Sequence, residues 1–111
     1  MFKAYEKEGV VVIVPEGELD VTNSMQFKEK VLSEYISAGK PTIVLDMANV
    51  GYMDSSALGV IISLFKNARM NGGGMAIVNL EDPVRRLFSL TGLDKVVPIY
   101  FSVNEAVKKL K

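Results

Sequence analysis

The chain has 111 residues, nearly half of them apolar, and its thirteen basic residues balance thirteen acidic ones. With no cysteine it can form neither a disulfide nor a zinc–thiolate site, and with no histidine it lacks the commonest general base, the usual serine triad and most transition-metal sites. Zero net charge offers none of the positive potential that nucleic-acid binding draws on, and no apolar run approaches the ~20 residues that cross a bilayer.

This length suits one domain, residues 1–111, with one core. The opening Met1-Phe2-Lys3-Ala4-Tyr5-Glu6 has no signal-peptide apolar core, so a soluble, cytoplasmic protein without membrane contact is expected. Phe2 to Lys7 reads as an edge strand and Lys7-Glu8-Gly9 as a turn. Val10 to Val14, continuously apolar and β-branched, reads as a strand buried on both faces and antiparallel to the first. Gly17-Glu18-Leu19-Asp20 then leads to Val21-Thr22-Asn23-Ser24, rich in N-cap types, and to a helix running to about Ala38. In that helix Phe27, Val31, Leu32, Tyr35 and Ile36 form one stripe, and Gly39 and Pro41 end it.

Thr42 to Met47 is the next strand. After it, Gly51-Tyr52-Met53-Asp54-Ser55-Ser56 opens a helix from about Ser55 to Asn71, with Ser55 as a candidate N-cap and Asp54 as an adjacent cap or turn residue. Leu58, Ile61, Ile62 and Phe65 make one apolar face. Ala57, Val60 and Leu64 make a second strip, which suits either a docking surface or deeper burial by neighbouring helices. Gly72-Gly73-Gly74 stops this helix; it lacks the Lys-Ser/Thr pair and following helix of a phosphate-binding loop. Met75 to Leu80 is a buried strand, and Asp82-Pro83 caps a short helix that Gly92 closes. Val96 to Tyr100 is a last strand whose Pro98 implies an edge or a frayed end, and Ser102-Val103-Asn104-Glu105 is a capping box for the final helix.

The order β-β-α-β-α-β-α-β-α predicts an α/β domain: a mixed, mostly parallel sheet of about five strands with about four helices. The loops Glu16 to Asn23 and Ala48 to Ser55 both follow strands, so they can meet at one end of the sheet and bring Asp20 beside Asp54 and Ser55. Arg85-Arg86 could clamp a phosphate, although exposed helix charge accounts for the pair, and Glu18 with Asp20 could act as paired carboxylates, although local capping accounts for Asp20.

Gly17-Glu18-Leu19-Asp20, Ile43-Val44-Leu45-Asp46 and Met53-Asp54-Ser55-Ser56-Ala57-Leu58-Gly59-Val60, followed by Val84-Arg85-Arg86-Leu87-Phe88 and Thr91-Gly92-Leu93, together resemble a STAS-domain protein of the anti-sigma factor antagonist family. The resemblance spans the whole chain. It implies a non-enzymatic, cofactor-free module, monomeric when free, that binds an anti-sigma factor, often a serine kinase, and so releases a sigma factor. It implies phosphorylation at Ser55, which blocks binding, and removal of the phosphate by a PP2C-type phosphatase. It also implies a binding surface that includes Asp20, Asp54, Ser56, Ala57, Gly59 and Val60. Position 57 carries Ala where many members carry Gly. The same resemblance admits another role, a STAS regulatory subunit of a signalling or transport complex with no sigma factor.

Overall fold

The computed structural model describes residues 2–111. A five-stranded sheet has the order β1 (Phe2–Lys7), β2 (Val10–Pro15), β4 (Thr42–Asp46), β6 (Gly74–Val78) and β7 (Ile99–Tyr100). Among the described residues only the β1–β2 pair is antiparallel. Glu8 and Gly9 join that pair, both at positive φ (53° and 84°), as a tight two-residue hairpin turn requires. A second, two-stranded parallel sheet pairs β3 (Gly17–Leu19) with β5 (Val50–Met53).

The continuous apolar runs are strands covered on both faces. Val11 and Ile13 of β2, Ile43 and Leu45 of β4, and Met75 and Ile77 of β6 pack with α1 (Ser24–Val31), α2 (Ser55–Met70) and α3 (Asp82–Thr91). Their neighbours Val10, Val12, Val44, Ala76 and Val78 face the other way, onto Ala106 and Val107 of α4 (Val103–Leu110). Period-two alternation therefore exists within each run, but both of its faces are apolar. Each fully buried Ile or Leu contributes roughly 1.5–3 kcal/mol relative to exposure.

The helix ends follow local chemistry with small shifts from the sequence reading. α1 passes at Leu32 into a π-helical segment ending at Ile36, and Gly39 follows at φ 91°. For α3 the N-cap is Glu81, one residue before the expected Asp82, and Gly92 closes the helix in the left-handed region. At α4 the Glu105 amide donates to the Ser102 hydroxyl (3.1 Å), while the Glu105 carboxylate accepts from the Phe101 amide rather than from the cap residue itself. Gly73 is required by close approach: a Cβ there would lie 2.2 Å from the Pro41 carbonyl oxygen. β7 is cut to two residues behind Pro98, at the sheet edge. Among the described residues no helix is long and apolar enough to cross a membrane.

Candidate functional site

The two loops expected to meet do meet, but as paired strands. β3 and β5 run side by side off the main sheet, and the Asp54 amide donates to the Leu19 carbonyl (3.3 Å). That short sheet delivers the 20–23 turn and the start of α2 to the same end of the molecule.

Asp54, not Ser55, is the N-cap of α2. Its backbone is extended, and its Oδ1 accepts from the Ala57 amide (3.0 Å). Ser55 therefore moves inward to the first helical position. The correction has a physical reason: Asp54 and Ser are equally good cap types, and the residue that β5 delivers in extended conformation takes the role. Oδ2 of Asp54 accepts from the Val21 amide (2.9 Å), so one carboxylate caps the helix and holds the neighbouring turn.

The turn is fastened from within. Asp20 Oδ1 accepts from the Thr22 amide (2.9 Å) and from the Thr22 hydroxyl. Asn23 Oδ1 accepts from the Asp20 amide (3.0 Å), and its Nδ2 donates to the Glu18 carbonyl (2.8 Å). The Thr22 hydroxyl, with the Thr22 amide next, holds the Asp20 carboxyl below the usual aspartate range, so Asp20 is an anion at neutral pH. Asp20 thus lies one residue from the turn amide that Asp54 binds.

Among the described residues these bonds leave the hydroxyls of Ser55 and Ser56 unused, and both side chains are exposed. The first intrahelical bond is Leu58 N–H to the Asp54 carbonyl (3.2 Å), so the amides of Ser55 and Ser56 precede it at the positive end of a four-turn helix. No cluster of three or more metal-ligating side chains exists among the described residues.

The second apolar strip is mostly not a surface. Ala57 is 1 % exposed and Leu64 fully buried, in the core shared with α1, so burial by neighbouring helices explains them. Ala57 thus belongs to that core, next in sequence to the exposed Ser56. Val60 is nearly buried but reaches a groove of about 360 Å³ between the starts of α1 and α2, lined by Val21, Ser24, Met25, Lys28, Ser56, Gly59 and Val60. Gly59 forms part of its floor, with open space where a Cβ would be. Val21 and Met25 stand 71 % and 58 % exposed on the lip, and Tyr52 is exposed at the end of β5. Val21, Met25 and Lys28 escaped the sequence reading. The signal available was a Val and a Met in the polar run before Phe27, out of phase with the buried stripe.

A covered, mostly parallel sheet that offers a capped helix start, free serines and an apolar groove at one end defines a small α/β domain of the STAS type. The STAS domain model matches residues 1–106, and the chain belongs to the STAS-domain family. The anti-sigma F factor antagonist of Paenibacillus polymyxa is 36 % identical, aligned over 93 % of this chain and 88 % of its own length. The crystal structure of a Thermotoga maritima protein superposes with a TM-score of 0.93 at 35 % identity, covering 98 % of this chain and 93 % of that one. The Bacillus cell fate determinant SpoIIAA, solved in its phosphorylated form, gives a TM-score of 0.73 at 25 % identity over 100 % of both chains.

Proposed function

We propose that this chain is a cytoplasmic anti-sigma factor antagonist, a binding protein without catalysis of its own. Its unphosphorylated form binds an anti-sigma factor, and so frees a sigma factor, through Asp20, Asp54, Ser56, Gly59 and Val60 around the nearly buried Ala57. A phosphate on Ser55 ends that binding; the anti-sigma factor adds it as a serine kinase and a PP2C-type phosphatase removes it. The observation that carries this reading is Ser55 itself: an exposed, unbonded hydroxyl at the first position of a helix whose cap is already supplied by Asp54. The naming of the Paenibacillus relative and the phosphorylated form of SpoIIAA support it.

The physics of the switch follows from that position. A helix N-terminus stabilises an added anion, so the fold tolerates the phosphate. Roughly two extra negative charges beside Asp54 and Asp20 would repel an acidic surface and raise the cost of desolvating the contact. A few kcal/mol at an interface is orders of magnitude in affinity, because ~1.4 kcal/mol is tenfold.

Incubation with ATP and the anti-sigma F factor of Paenibacillus polymyxa, followed by mass spectrometry, tests the assignment. One phosphate on Ser55 is expected, and none on Ser55→Ala. Equal phosphorylation of Ser55→Ala overturns it.

A further inference from the structure

The groove between α1 and α2 holds two polar groups that the fold does not use. Ser24 is 4 % exposed, and its hydroxyl makes no hydrogen bond among the described residues, yet it is not sealed from the groove. Lys28, one turn further along α1, lies on the same helix face, half buried. The ion pairs among the described residues use Lys3, Lys40 and Lys111, and Lys28 has no carboxylate within reach. A nearly buried hydroxyl beside an uncompensated ammonium ion is a half-made site for a carboxylate.

The rest of the groove specifies what carries that carboxylate. Val21, Met25 and Val60 wall it with apolar surface, and the absent side chain of Gly59 leaves room for a backbone to come close. On the other side of the turn, the carboxylates of Asp20 and Asp54 accept from the Thr22, Val21 and Ala57 amides. The groove thus offers an unpaired positive charge, Lys28, beside its apolar walls.

We propose that this groove anchors an acidic-apolar element of the anti-sigma factor: an apolar side chain seated between Val21, Met25 and Val60, next to a carboxylate that binds Lys28 and the Ser24 hydroxyl. The inference rests on the antagonist reading and deepens it by fixing the chemistry of the partner's contact. It makes Lys28 a specificity residue and Gly59 a clearance residue. It also gives the phosphate on Ser55 a direct opponent, because the adjacent serine, Ser56, lines the same groove.

Calorimetry with the Paenibacillus polymyxa anti-sigma F factor tests this on four proteins: the unaltered chain, Lys28→Glu, Lys28→Met and Lys30→Glu. Lys30 is exposed on α1 outside the groove, so it controls for net charge alone. Lys28→Met keeps the apolar stem and removes only the charge. The expected result is a loss of about tenfold or more for Lys28→Glu, a smaller loss for Lys28→Met with a flatter dependence on salt, and a change within about twofold for Lys30→Glu. Binding by the unaltered chain with Lys28→Glu unchanged, or with Lys30→Glu equally weakened, overturns this inference and leaves the antagonist reading standing. No binding by the unaltered chain overturns both.

Discussion

Replacing Asp54 by alanine removes two hydrogen bonds that share one carboxylate, and their loss can be divided. The bond from the Ala57 amide is the N-cap of a sixteen-residue helix, and losing a cap of this kind costs about 1 kcal/mol. The bond from the Val21 amide is more exposed to water, so it contributes at the low end of the ordinary range, about 0.5–1 kcal/mol. Asp54→Ala should therefore lose about 1.5–2 kcal/mol in urea unfolding, or about 10 °C in Tm for a domain of this size. Asp54→Asn separates the two parts, because asparagine caps as well as aspartate but its amide nitrogen cannot accept from Val21. It should lose about half as much. Asp82→Ala, at the exposed start of α3 where Glu81 is the cap, is the control and should stay within about 0.5 kcal/mol of wild type. An Asp54→Ala protein within about 0.5 kcal/mol of wild type would refute the two-bond account, as would an equal loss in Asp82→Ala.

Other outcomes follow from single observations. Gly73→Ala should destabilise by about 3 kcal/mol, because its methyl group would meet the Pro41 carbonyl; an unchanged unfolding midpoint would contradict the contact. Gly59→Ala, facing open space within a helix, should instead gain about 0.5–1 kcal/mol while weakening anti-sigma factor binding, and a variant that gains stability and binds normally would remove Gly59 from the contact. The Asp20 carboxyl should titrate in NMR below an ordinary aspartate, and Thr22→Ala should raise its midpoint, since the Thr22 hydroxyl is the main cause of the depression. A group depressed in the folded state stabilises the fold above its unfolded pKa near ~4, and that contribution is lost as pH falls through the folded value. Thr22→Ala should therefore be less stable than wild type at neutral pH, with the gap closing in acid; a gap independent of pH would deny the linkage.

Much of this architecture was legible because its elements are strongly marked. The β-branched run Val10 to Val14, the Phe27 stripe, the glycine stops at Gly39 and Gly92 and the Ser102 cap each have one dominant local cause. What escaped was decided by tertiary contact. Gly17 to Leu19 and Val50 to Met53 are too short to show a period, and they become strands only because each finds the other. The cap at α2 shifted by one residue because chain entry from β5, not residue type, chose between Asp54 and Ser55. For Ala57 and Leu64 the sequence leaves docking and burial equally open, because a second apolar strip has no orientation until α1 is laid against it. The meeting of the Asp20 turn with Asp54 and Ser55 was readable because both loops follow strands of one sheet layer. Lys28 and Ser24 were not, since their significance is the absence of partners, which only the folded chain reveals.

The proposed phosphoswitch at Ser55 is tested most directly by placing phosphoserine at position 55 by direct incorporation, without a kinase, and measuring its affinity for the anti-sigma factor beside that of the unmodified protein. The account predicts an unchanged fold by circular dichroism and an affinity at least about 100-fold weaker, equivalent to about 2.7 kcal/mol. Equal affinity of the two forms, with the fold intact, would contradict it.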